Sequence, residues 1–185
     1  MLKLNLGCGA NKMDGFVNID TEPSVKPDKV CNFITSKLPY KANSVDEVVL
    51  FHTIEHISKH HHTNILAEVW RVLKSDGMFL VSYPEFLKCV ANWKKNFKGK
   101  KQFWENTIYG RQLYSTDFHV CIMHTEDFVD VLRNQGFGKI SYQPEPTEPF
   151  NTMLVCHKVE KSIHYADLVL EKFKATKIKE EKCRK

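Results

Sequence analysis

Six residues separate Gly9 from Phe16, and no other interval constrains the fold as much. On one side, Leu4-Asn5-Leu6-Gly7-Cys8-Gly9-Ala10 is a short apolar run ending in two glycines. On the other, Phe16-Val17-Asn18-Ile19-Asp20 is a second run ending in an aspartate. Read as two strands, the pair suits a mononucleotide-type site. Glycine admits a ligand close to the backbone, and a carboxylate at the next strand end can accept both ribose hydroxyls. A parallel crossover, however, normally takes a dozen or more residues and usually includes a helix. Either the first helix is reduced to a turn, or a strand is misassigned and the segment is a glycine turn followed by a surface aspartate.

Further strand candidates follow at Lys29–Phe33, Glu47–Phe51, Met78–Tyr83, Lys139–Gln143 and Met153–Val159. Several are compact apolar runs, such as Val48-Val49-Leu50-Phe51, which fits burial on both faces of a parallel sheet. Helical spacing places Ile65, Leu66, Val69, Trp70 and Leu73 on one face of a helix over Thr63–Leu73, stopped by Ser75-Asp76-Gly77. A second helix is expected from Thr125, as N-cap, to Gly136, burying Phe128, Val131 and Leu132. Alternating strands and helices define an α/β class with a mainly parallel sheet.

The length of 185 residues suits one domain with a single substantial core. No run approaches a membrane span, and Met1-Leu2-Lys3-Leu4 enters a strand pattern directly, so a cytoplasmic location is expected. The cysteines are scattered without a CxxC pair, as reduced core or site thiols would be. The net charge of +5 is uneven. Lys88, Lys94, Lys95, Lys98, Lys100 and Lys101 precede the first acid of their segment, Glu105, and the tail beyond residue 160 is also basic. Outside these two stretches the remainder is mildly acidic, so an acidic body carries two basic appendages: the lysine-rich segment within the domain at 1–160, and the tail at 161–185, where Ile163, Ala166, Leu170 and Phe173 have helical spacing. Residues 85–124 fit no standard layer. They follow the end of a strand, where open α/β sheets bind ligands, and read as an inserted cap or as an ordinary surface insertion.

Taken in order, Asn5-Leu6-Gly7-Cys8-Gly9, Asp20, Leu38-Pro39, Ser44-Val45-Asp46-Glu47-Val48, His52-Thr53-Ile54-Glu55-His56 and Trp70-Arg71-Val72-Leu73-Lys74-Ser75-Asp76-Gly77 form a series. It resembles the class I S-adenosylmethionine-dependent methyltransferases, in particular the small type 11-like group, over about residues 3–84. The resemblance implies a Rossmann-like three-layer sandwich, with a seven-stranded sheet parallel except for one strand and the cofactor above its carboxyl ends. The group's pairing of GCG with a nearby Gly-aromatic-x-Asn-x-Asp, here Gly15 to Asp20, favours keeping both early strands with an abbreviated first helix.

The resemblance also implies roles. Leu6, Gly7, Cys8 and Gly9 would admit the methionine and ribose portions, and Asp20 would hold the ribose hydroxyls. Asn32 sits where relatives often carry an aspartate facing the adenine amino group. Phe33 either lies along the adenine or is a core aromatic. His52 would face the reactive end. Asn5 replaces an acidic residue often found there. A nicotinamide enzyme is disfavoured, because the third glycine of the dinucleotide fingerprint is missing.

Methyl transfer needs a base only when the acceptor must lose a proton. The candidates are Asp117 and His119, with the aspartate orienting the ring, or else both simply fix a loop. Arg111 and Gln112 are candidates to grip an anionic or hydroxylated substrate, and Glu55 and His56, at the start of the helix after the fourth strand, to line the cleft. His60-His61-His62 point in different directions on a helix, and no metal site is assigned to the chain. The leading expectation is a small-molecule acceptor, which the resemblance suggests is a sugar or cell-surface precursor. The alternatives are a nucleic-acid acceptor tracked by the basic and aromatic stretch Trp93–Trp104, or a non-catalytic cofactor- or partner-binding domain.

Overall fold

The computed structural model describes residues 1–96, 100–113, 116–143, 148 and 150–159. Its strands are β1 (Lys3–Leu6), β2 (Val17–Asp20), β3 (Lys29–Val30), β4 (Val45–Phe51), β5 (Leu73–Pro84), β6 (Phe137–Gln143) and β7 (Asn151–Lys158). They form one seven-stranded sheet in the order β3-β2-β1-β4-β5-β7-β6. All neighbours from β3 to β5 pair in parallel, and β7 runs antiparallel to both β5 and β6. This is the expected α/β, Rossmann-like class, with the single reversed strand in place.

Both early strands exist and pair directly, Leu4 with Val17 and Leu6 with Ile19. The chain between them makes only turns, so the first helix is abbreviated to nothing. Asparagines take over the work of a helix. Asn18 Oδ1 accepts from the Met13 N–H at 2.8 Å and from Asn5 Nδ2 at 3.0 Å. The Asn18 amide donates to Asp28 Oδ2 at 2.9 Å, and Asn5 Nδ2 also reaches the Asn11 carbonyl at 3.1 Å. Asn5 is buried in this lattice, which gives it a structural task in place of the acidic role its position suggested.

Full helices appear further along: α1 (Lys59–Val72), α2 (Phe86–Asn96), α3 (Lys101–Tyr109) and α4 (Thr125–Gln135). Helix α1 buries Ile65, Leu66, Val69 and Val72 as its spacing required. It begins four residues ahead of the expected Thr63, because His62 turns inward and bonds the Ile57 carbonyl at 2.8 Å and the Ile54 carbonyl at 3.2 Å. The polar histidine run therefore enters the helix. Leu73 leaves the helix to open β5, pairing with Val45. Thr125 is the first helical residue of α4, and His124 is the cap. The Thr125 hydroxyl is instead committed to Tyr83, whose OH donates to it at 3.3 Å.

The main core joins α1 and α4 to one face of the sheet through residues such as Phe79, Val81, Tyr83, Phe128, Leu132 and Leu154, all buried. Burying a side chain of this size contributes about 1.5–3 kcal/mol. At the opposite edge of α1, Arg71 clamps the loop before β4: Nη1 donates to the Tyr40 carbonyl at 2.8 Å and Nη2 to that of Leu38 at 3.0 Å. Glu68 completes the clamp by accepting from Arg71 and from the Leu38 N–H. Among the described residues no helix is long and apolar enough to cross a membrane.

Candidate active site

The site lies at the carboxyl ends of β1, β2 and β4. Gly7 and Cys8 donate their N–H groups to the Ile19 carbonyl at 2.8 and 3.2 Å, which prolongs β1 into a loop beside β2. Gly7 has φ +67°, and a Cβ built there would lie 2.3 Å from Thr53 Cγ2. Thr53 cannot retreat, since its hydroxyl donates to the Phe51 carbonyl at 2.9 Å and it is buried. Gly9 also has a positive φ, +49°, but its Cβ would meet nothing within 4 Å. The first glycine is thus demanded by packing, while the second borders open space.

Asp20 closes this loop. Its Oδ2 accepts from the Gly9 N–H at 2.8 Å and its Oδ1 from the Glu22 N–H at 2.9 Å. Each oxygen keeps a second lone pair for a hydroxyl. Leu6 is fully buried beneath the loop. Burial and the nearby Asp20 push the Cys8 thiol above its ordinary range, so it stays protonated. Asn32 spends its carbonyl oxygen on the N–H groups of Ile34 and Thr35 at 3.2 and 3.3 Å. What it can offer a ligand is its NH2 group, a donor in place of the expected acceptor. Phe33 is 3% exposed and packs in the main core, which leaves its ring no open face for adenine.

Beyond β4 the chain turns sharply. His52 has φ +48°, and a single 3-10 turn, Ile54–His56, precedes α1, so Glu55 and His56 lie in that turn and not at the start of the helix. A strap from the 85–124 insertion lies along it: Val120 and Cys121 donate to the Glu55 carbonyl at 2.9 and 3.3 Å, and the His56 Nδ1–H bonds the Phe118 carbonyl at 2.9 Å. The His56 and His119 rings meet edge-on with centroids 4.7 Å apart. Glu55 Oε1 lies 3.6 Å from His52 Nδ1, and His52 Nε2 lies 3.5 Å from the Asn151 amide. Thr53 touches the glycine loop while Glu55 and His56 touch the strap, so one short turn joins the two halves of the site.

The expected pair, Asp117 and His119, have different surroundings. The Asp117 carboxylate accepts from the Leu113 N–H at 3.2 Å and lies 3.6 Å from Arg111 Nε, binding its own loop. Burial pulls the His119 pKa down toward the neutral ring, and Glu55, more than Asp117, opposes that shift. Arg111 and Gln112 are exposed at the rim of this loop. His62 points into the core as described, away from His60 and His61. The convergence of Glu55 with three histidines had one sequence signal, the His52-x-x-Glu55-His56 spacing, and needed the strap to supply His119.

The insertion packs Cys89 and Trp104 into a small core with Phe150, just before β7, with the Trp104 and Phe150 rings 5.3 Å apart. Trp104 is therefore buried and not displayed for stacking. A separate concavity of about 660 Å³ lies by Asn43, Trp70, Lys74 and Lys158, at the opposite end of β5 from the glycine loop. Lys158 Nζ sits 4.0 Å above the Trp70 ring and bonds the Leu73 carbonyl, which gives that face a structural explanation.

A Rossmann-like sheet with a glycine loop and an acidic strand end at its carboxyl edge defines a nucleotide-type site. Residues 4–81 match the family model described as "Methyltransferase domain". Among solved structures, the chain is similar to a SAM-dependent methyltransferase from Methanosarcina mazei, with 14% identity, a TM-score of 0.60, and 86% of this chain and 92% of that one covered. One from Archaeoglobus fulgidus gives 14%, 0.60, 84% and 85%, and one from Thermotoga maritima 17%, 0.57, 85% and 82%. No curated protein matches the sequence. Residues 4–81 thus match a methyltransferase domain, and the fold is one shared with S-adenosylmethionine-dependent methyltransferases.

Proposed function

We propose that the chain methylates a small hydroxylated molecule, such as a sugar or a cell-surface precursor, bound between the glycine loop and the 118–121 strap. When bound, S-adenosylmethionine supplies an electrophilic methyl group on a positive sulfur. Gly9 leaves room for it, Asp20 offers lone pairs to its ribose hydroxyls, and the Asn32 amide offers a donor to its base. His52 lies toward the reactive end. The observation that carries the reading is the junction at Thr53–His56, which abuts the glycine loop on one side and the insertion on the other. An acceptor lodged there meets His52, His56 and His119, with Arg111 and Gln112 at the rim. His119, kept neutral by burial, is the best placed of these to take a hydroxyl proton, and Asp117 positions the loop. Burial of Trp104 against Phe150 speaks against its use in a base-stacking groove for nucleic acid.

Calorimetry with S-adenosylhomocysteine should show one site, weakened by Asp20→Ala. Incubation with labelled cofactor should methylate hydroxylated small molecules. Unchanged affinity in Asp20→Ala would refute the cofactor assignment. Label appearing in RNA or DNA, with none in small acceptors, would refute the acceptor class.

A further inference from the structure

Glu55 is 2% exposed, and neither of its carboxylate oxygens has a hydrogen-bond partner among the described residues. A buried carboxylate in that state is costly, and native structures compensate such groups with a cation or with donors. What surrounds Glu55 is a set of metal-ligand side chains. Ligand atoms of Glu55, His56 and His119 all lie within 4.8 Å of one another, and His52 Nδ1 is 3.6 Å from the carboxylate. His56 already gives its Nδ1–H to the Phe118 carbonyl at 2.9 Å, which leaves the Nε2 lone pair free. That is the outer-shell bond that usually orients a metal-binding imidazole.

We propose that Glu55, His56 and His119, with His52 beside them, form a binding site for one divalent transition-metal ion. Two or three imidazoles and a single carboxylate suit zinc, cobalt or manganese better than calcium or magnesium, which take oxygen ligands. Ligands about 2.1 Å from a common zinc ion lie about 3.3 Å apart, so the set must close by on the order of 1 Å. Side-chain rotation supplies this, because the backbone is already fixed by the strap: Val120 and Cys121 are bonded to the Glu55 carbonyl. Three protein ligands leave a coordination position open. The position takes an oxygen donor, and on the acceptor reading given above that donor is the hydroxyl to be methylated. His119 then serves as a ligand and not as the base: the ion would favour loss of the hydroxyl proton to solvent water, the oxygen would form its bond to the methyl carbon, and the carbon–sulfur bond of the cofactor would break with its electron pair going to sulfur.

The test uses the full chain, stripped with a chelator and titrated with Zn²⁺ by calorimetry and with Co²⁺ by visible absorption. One ion should bind per chain, with cobalt bands of the intensity given by four- or five-coordinate nitrogen and oxygen ligands. Glu55→Gln and His119→Gln should each weaken binding by roughly tenfold or more, as even outer-shell losses cost 10–100-fold. His60→Gln/His61→Gln should leave it unchanged. S-adenosylhomocysteine titrations on the same proteins report whether the variants are folded and whether the cofactor site is sound. Absence of saturable binding by the wild type, or equal binding by Glu55→Gln and His119→Gln, overturns the metal site. If cofactor binding fails while metal binding holds, the methyl-transfer reading falls and the metal site stands.

Discussion

The two glycines of the first loop make opposite predictions for the same substitution. In Gly7→Ala the new Cβ would sit 2.3 Å from Thr53 Cγ2 and 2.6 Å from its Oγ1, at φ +67°. The left-handed backbone costs an alanine about 1–2 kcal/mol, and overpacking against a threonine that cannot move costs about 1–3 kcal/mol. The expected destabilisation is therefore about 2–5 kcal/mol, a large share of the roughly 5–15 kcal/mol of a typical domain. Adding Thr53→Ala removes the colliding atoms and should restore the overpacking share but not the backbone share. In Gly9→Ala, where a Cβ meets nothing within 4 Å, only the backbone share applies. If the proposed cofactor site is right, the methyl group instead enters space that the cofactor would take, and affinity should fall by roughly tenfold or more, the equivalent of about 1.4 kcal/mol. Urea unfolding measures the first effect and calorimetry with S-adenosylhomocysteine the second. Wild-type affinity in Gly9→Ala, together with wild-type stability in Gly7→Ala, would refute the geometry assigned to the loop.

Two further outcomes follow from buried titratable groups. Burial holds the His62 pKa below its ordinary value despite its bonds to two carbonyls. The unfolded chain then binds the proton more readily than the folded one, so stability is full above about pH 6.5 and falls as the pH drops below it, by at most about 1.4 kcal/mol per pH unit for one histidine. Urea midpoints at pH 7.5 and 5.5 should show a smaller loss in His62→Gln than in the wild type, and equal losses would contradict the assignment. Burial also pushes Cys121 up to about 11 and Cys89 and Cys156 up to about 12. Since the thiolate is the reactive form, peptide mapping after iodoacetamide at pH 8 should find these three unmodified in the native protein and modified in urea, and native labelling would show them more accessible than the structure allows.

Much of this fold was legible because burial on both faces turns a parallel strand into an unbroken apolar run. Val48 to Phe51 was found that way, Phe79 to Val81 was found as an apolar run although Leu80 is only half-buried, and counting residues between Gly9 and Phe16 disclosed the lost helix. Strand ends were less legible. Val45 belongs to β4 and Leu73 to β5 because they pair with each other, across a register shift at Asp46 that no local pattern carries. At the site, Gly7 and Asp20 could be read from residue type, since a left-handed backbone and a strand-end carboxylate are properties of single positions. Phe33 could not, because a core aromatic and an adenine platform look alike in sequence. Nor could the burial of Glu55 among three histidines, which is complete only once the strap from 118–121 lies across it.

The missing first crossover also fits the chemistry of the ligand. In dinucleotide sites the helix after the glycine loop aims its positive end at a pyrophosphate, and the loop and helix act as one anion site. S-adenosylmethionine has no phosphate, its one anion is the methionine carboxylate, and its reacting sulfur is positive, so no pyrophosphate demands a helix N-terminus there. What the cofactor needs from this region is a backbone it can approach and a carboxylate for its ribose. Both are available from a loop held by Asn18, Asn5 and the Asp20–Gly9 bond at 2.8 Å. Helix formation is thereby replaced by side-chain amides that satisfy the same backbone groups. The cost of the exchange is that Asn18 now carries bonds to Met13, Phe16, Asn5 and Asp28 at once, and no shorter or apolar side chain can make them.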